Sequence, residues 1–161
     1  VHQPLHVGDR RDRGGNNVQV SFFRDDSTNL HQVWDSGILR MEFRGEREAA
    51  DALFEVARRP SSRGWTGGTA EDWADESLEA AKKAYIDPAT RQTIRNGARL
   101  GDEYQTTHIR TVVERLTKAG LRLSEVLNAD LVGPKKDGTK PNAVPAPHFD
   151  RDRIAPGQPP R

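Results

Sequence analysis

The sequence predicts a mainly α protein with one small β-hairpin. Three observations predict it. Apolar residues recur at helical spacing along Ile109, Val112, Val113, Leu116, Ala119, Leu123, Val126 and Leu127. Trp73, Ser77, Ala80 or Ala81, and Ala84 form a second such stripe, opened by a Thr69/Asp72 pair with the spacing of a capping box. Period-two alternation, by contrast, is confined to a short stretch near the start of the chain, around Val18, Val20 and Phe22. A length of 161 residues gives room for one domain of ordinary size.

Taken in order, Leu5 and Val7, then Val18, Val20 and Phe22, read as an extended pair around the charged loop 9–17. Gly14 and Gly15 supply the positive φ that a hairpin return needs. Asn29 is a good N-cap for a short helix over 30–40. Residues 46–59 form an amphipathic helix with Ala49, Ala50, Leu53, Phe54, Val56 and Ala57 on one side, ended by Pro60 and Gly64. The capping box opens a helix over 70–86. Pro88 suits the first turn of another over 88–96. The long stripe predicts a helix over 102–129, in which Gly120 permits close packing. The 28 residues from Pro134 onward hold seven of the ten prolines and few apolar side chains. The chain therefore divides into a domain over 1–131 and a proline-rich, disordered tail over 132–161.

Composition narrows the function classes. Lys and Arg total 25 against 24 Asp and Glu, a net charge of +1, which argues against nonspecific binding to nucleic acid or membrane by bulk charge and leaves a local site open. Cysteine is absent, so disulfides, thiolate metal sites and cysteine nucleophiles are excluded together. Any metal must be held by His, Asp, Glu or backbone. No apolar run approaches the ~18 residues of a membrane span. No nucleophile elbow or Ser-His-Asp set is legible.

The residues that bear chemistry begin with His31-Gln32-Val33-Trp34-Asp35. On a helix, His31 and Asp35 project from one face, where they can share a divalent metal or form a plain ion pair. His6 sits beside the expected strand. If that strand passes the helix, His6 completes two histidines and one carboxylate, the ligand set of catalytic zinc with a fourth position open. A surface histidine beside a proline turn is the alternative. Pro4 disfavours a helical pairing of His2 with His6. His108 reads as an ordinary helix histidine and His148 as a solvated one. Asp12-Arg13-Gly14-Gly15-Asn16 is either a hairpin turn or a loop whose backbone, Asn16 and arginines meet a nucleotide. Trp34 and Trp73 suit packing, whereas Trp65 lies in a glycine-rich loop and could stack on a base.

His2-Gln3-Pro4-Leu5-His6-Val7-Gly8, Asp12-Arg13-Gly14-Gly15-Asn16 and Asn29-Leu30-His31-Gln32-Val33-Trp34-Asp35-Ser36-Gly37 together resemble the single-strand-specific zinc nucleases of the nuclease S-one/P-one type. Trp73-Ala74-Asp75-Glu76-Ser77, Leu100-Gly101-Asp102-Glu103-Tyr104 and Ala119-Gly120-Leu121-Arg122-Leu123, with Leu127-Asn128, are similar to that family's carboxyl-terminal helices, so the likeness runs in order over residues 1–131. The resemblance implies a helical fold shared with zinc phospholipase C and three zinc ions in a cleft. It implies cleavage of single-stranded DNA and RNA to 5′-phosphorylated products, and action on 3′-nucleotides. His6, His31 and Asp35 match the ligands of the zinc set apart from a closer pair, and Arg13 and Asn16 lie on the loop near a nucleobase. The other ligands of such enzymes lie upstream of the position of Val1. The expectation is thus a carboxyl-terminal portion, truncated on its amino-terminal side, with one zinc site of three and little activity by itself. Members are typically exported, which implies a periplasmic or secreted location. A zinc phospholipase C is the nearest rival; Asp35, and Asn29-Leu30-His31 before it, fit the nuclease pattern better. A non-enzymatic helical module is the other rival, and it would have no need to retain zinc.

Overall fold

The computed structural model describes residues 1–132, so the expected tail lies outside the described residues but for its first position. A 3-10 turn, Pro4–His6, opens the chain and is followed by strands β1 (Gln19–Phe22) and β2 (Asp25–Asn29). A helical run comes next in three parts: α1 (Leu30–Gln32), a π turn (Val33–Gly37) and α2 (Ile38–Glu42). Then follow α3 (Glu46–Ala57), a 3-10 turn at Pro60–Ser62, α4 (Ala70–Ala84), β3 (Ala98–Leu100) and α5 (Asp102–Val132). The architecture is mainly α with a small sheet, as expected.

The hairpin differs from the expected one. Leu5 belongs to the 3-10 turn because Pro4 fixes φ and lacks an N–H, and because the Gln3 side chain caps the turn by accepting from the Leu5 amide. Strand β1 and the residue before it keep the predicted alternation, with Val18, Val20 and Phe22 buried. Its antiparallel partner, however, is the polar segment β2, joined through a tight turn at Phe23 (φ 55°), with Val20 opposite Thr28. Strand β3 lies parallel on the other side of β1, giving the order β2-β1-β3.

That third strand also corrects the helix expected over 88–96. Asp87 accepts from the Ala89 amide and the Thr90 hydroxyl, an Asx turn that outcompetes a helix. Arg91 at φ 58° then reverses the chain, and Ile86 bridges to Thr93.

The remaining helices form where caps and periodicity placed them. The Asn29 side chain accepts from the Gln32 amide. Thr69 and Asp72 make a reciprocal capping box. On α4, Ser77, Ala81 and Ala84 are buried and the 3-10 turn packs on this helix, while α5 packs against α2, α3 and α4. Helix α3 turns Ala49, Leu53, Val56 and Ala57 inward only partly and leaves Phe54 exposed. Gly120 does not serve close packing among the described residues, because a Cβ there would meet open space. The core joins the sheet to the π turn, α4 and the first half of α5. Trp34 Nε1 donates to the Tyr104 hydroxyl at 2.8 Å, which donates to the Ala84 carbonyl at 2.6 Å, tying three elements through buried groups.

Candidate metal centre

The 3-10 turn delivers His6, and the helical run delivers His31 and Asp35. One ligand atom from each lies within 4.8 Å of the others, and among the described residues this is the cluster suited to a metal. His31 Nε2 stands 3.4 Å from Asp35 Oδ2. Two donors each ~2 Å from a tetrahedral ion are separated by about that distance. The His6 and His31 rings stack with centroids 5.1 Å apart and planes at 16°.

The donor set fits a divalent metal in the orientation of His31 as well as in its spacing. His31 Nδ1 lies 2.7 Å from the Gly14 carbonyl oxygen. A carbonyl only accepts, so Nδ1 donates to it, and Nε2 is the nitrogen turned toward Asp35 that would face a metal. Gly14 is buried at φ 61°, and a Cβ there would collide with the Leu5 carbonyl. The glycine loop is therefore what allows this carbonyl to reach His31. Asp9 accepts from the Asp12 and Gly14 amides, and these backbone hydrogen bonds hold its carboxyl below the usual range. Asp12 accepts from the Gly15 amide and from the Tyr85 hydroxyl.

Arg13 and Asn16 are both exposed on this loop, flanking the Gly14 carbonyl that meets His31, and Asn16 Nδ2 donates to the Arg13 carbonyl at 2.9 Å. His2 stands apart from the cluster. Its Nε2 lies 3.0 Å from Arg122 Nη1, a group that only donates, so this nitrogen is an acceptor already engaged. Burial, then Arg115 and Arg122, pull His2 down to about 4. His108 is buried between the Trp34 and Tyr104 rings, as a packed helix histidine. Trp34 is buried and Trp73 half-buried, so both pack, while the Trp65 carbonyl accepts from Arg122.

Two features escaped sequence reading. Gln3 Nε2 donates to Asp35 Oδ1 at 2.7 Å. Glu76 receives Arg115, Lys118 and Arg122, and Arg122 foremost draws its carboxyl down to about 2. Arg115 also donates to the His2 carbonyl, while Ser77 donates to the Val1 carbonyl, so the network fastens the segment that leads to His6. The available signal was three cations at positions 115, 118 and 122, spaced to share one face of the long helix. A cleft of about 360 Å³ beside the cluster is bounded by Gln3, His6, Trp34, Asp35 and Leu39 on one side and Val112, Arg115 and Leu116 on the other.

Relatives place this geometry in a family. The chain is 30% identical to Endonuclease 4 of Arabidopsis thaliana over 142 residues, covering 80% of this chain and 46% of that protein. It is 32% identical to Endonuclease 5 of the same plant over 140 residues, with 80% and 46% covered. Endonuclease 1 shows 28% identity over 140 residues, with 80% and 45% covered. The chain thus spans just under half the length of these relatives. The family model described as S1/P1 Nuclease matches residues 1–131, the whole stretch that carries the cluster and its supporting loop, and on that ground the chain belongs to the S1/P1 nuclease family.

Proposed function

We propose that this chain carries one metal site of a zinc-dependent endonuclease that cuts single-stranded DNA and RNA to 5′-phosphorylated products and removes phosphate from 3′-nucleotides. The observation that carries the reading is the meeting of His6, His31 and Asp35, with His31 oriented by the Gly14 carbonyl, in a chain of a nuclease family. Zinc suits two imidazoles and one carboxylate with no thiolate. Bound there, it would act as a Lewis acid that stabilises negative charge developing on a phosphodiester oxygen. The chain's own residues hold and orient. The Gly14 carbonyl keeps the His31 proton on Nδ1, and Asp35 supplies the anionic ligand. Arg13 and Asn16, exposed on the loop whose Gly14 carbonyl meets His31, are the residues we assign to nucleotide contact. An exported protein, periplasmic or secreted, accords with this reading.

Ligand counting sets the expected activity. Paired-metal displacement needs more ligands than the one cluster gathered among the described residues. Residues 1–161 are therefore expected to take up one zinc and to show little turnover alone. Zinc titration with chelator competition, followed by digestion of single-stranded DNA, tests both. The expected result is one equivalent of zinc, lost in His31→Ala, with strong cleavage and 5′-phosphate ends only from a protein carrying this part within a whole domain. Absence of zinc uptake, or hydrolysis of phosphatidylcholine in place of oligonucleotides by such a protein, would sink the proposal.

A further inference from the structure

We infer that Gln3 is a positioning residue for the metal centre, coupling the two elements that carry its ligands; the inference rests on the metal-site reading above. The Gln3 side-chain oxygen accepts from the Leu5 amide and caps the 3-10 turn that ends at His6. An amide N–H only donates, so Oε1 must face Leu5 and the NH₂ group must face the other way. There Nε2 donates to Asp35 Oδ1 at 2.7 Å, across 32 residues of chain. The two ends of one primary amide thus set the His6 turn and the Asp35 carboxylate relative to each other. With Oδ1 engaged, the carboxylate turns Oδ2 toward His31 Nε2, 3.4 Å away. The Gly14 carbonyl does the same for His31 from the opposite side. Each of these two ligands therefore has an outer partner that fixes which atom it offers.

A carboxylate in place of the amide discriminates this role from a structural one. Gln3→Glu keeps the shape and the acceptor for Leu5, but sets an acceptor-only oxygen against Asp35 Oδ1. Gln3→Met keeps the bulk and removes the donor without adding charge. In the full chain, zinc affinity by chelator competition and the visible absorption of bound Co²⁺ report the ligand geometry, and circular dichroism reports the fold. The expected result is a folded Gln3→Glu whose zinc affinity falls by about 10- to 100-fold, with weakened or shifted Co²⁺ bands, and a Gln3→Met with the same direction of change. A folded Gln3→Glu with wild-type affinity and spectrum overturns the inference, as does tighter binding, which would make the new carboxylate a ligand. Should Gln3→Glu fail to fold, Gln3→Met decides by the same two readings. A wild-type protein that takes up no zinc fails the metal-site reading itself, a result distinct from an unchanged variant.

Discussion

His108 shows at the scale of one residue how this fold responds to acid. It is 4% exposed, its Nε2 has no partner among the described residues, and burial pulls it from 6.5 down to about 4. Above pH 6.5 both folded and unfolded chains carry it neutral, and its contribution is fully present. As pH falls from 6.5 toward 4, the unfolded chain takes up a proton that the folded one refuses, so stability is lost, on the order of 3 kcal/mol in all. The more open His2 adds a smaller share in the same window. Glu76 acts lower, losing its contribution as pH drops from 4.5 toward 2. Urea unfolding between pH 7.5 and 4.5 should show this slope, and His108→Gln should flatten it. Gly14 carries a different prediction. Gly14→Ala must strain φ and push the Leu5 carbonyl away, so it should cost more than about 1 kcal/mol and weaken zinc binding through His31, both readable by a zinc-titrated thermal melt. That His6, His31 and Asp35 would meet was legible only in part: His31 and Asp35 share a helix turn, while His6 was joined to them through the family resemblance. Gln3 was not, because nothing local tells an amide which carboxylate it will find.

At the scale of elements, helices with caps and long stripes announced themselves, and those with competing turn chemistry did not form. Thr69/Asp72 and Asn29 each marked a true start. Pro88 marked a false one, since Asp87 and Thr90 satisfy the backbone in a turn and the chain goes on to strand β3. Strand β2 was hidden for another reason: as a polar edge strand, Asp25–Asn29 buries fully only Thr28 and so has no alternating apolar signature. Between helices α4 and α5 the decisive element is the ion network. Arg115 is 4% exposed and donates to Glu76, Ser77 and the carbonyls of Trp73 and His2. Truncation in Arg115→Ala removes one donor from each of these acceptors, leaving Glu76 to Lys118 and Arg122, and should cost about 2 kcal/mol. Because the network fastens the chain ahead of His6, zinc affinity should fall as well. Chemical denaturation and zinc competition on one sample would separate the two effects, and an unchanged denaturation midpoint would refute the anchoring role.

Across the whole molecule, the mainly α class followed from periodicity, but periodicity does not say what each stripe will meet. Helix α5 buries Tyr104, His108, Val112 and Arg115 in its first half. Farther along, the predicted stripe emerges from the core, with Leu123 59% exposed, Val126 43% and Leu127 47%. Helix α3, packed on α5, adds Phe54 at 52% exposed. Exposed apolar side chains on these two helices favour association, and a net charge of +1 offers little repulsion to oppose it. The isolated chain should therefore self-associate as its concentration rises, with sedimentation velocity showing a growing mean mass. Paired Leu123→Glu and Leu127→Glu substitutions keep good helix formers on this face while removing its apolar area. They should restore a monomer without altering zinc affinity, because both positions are remote in sequence from the ligands and neither borders the cleft beside them. If the wild-type chain stays monomeric throughout, this face does not drive association. If the double variant loses zinc, the distal half of α5 is coupled to the metal centre rather than standing apart from it.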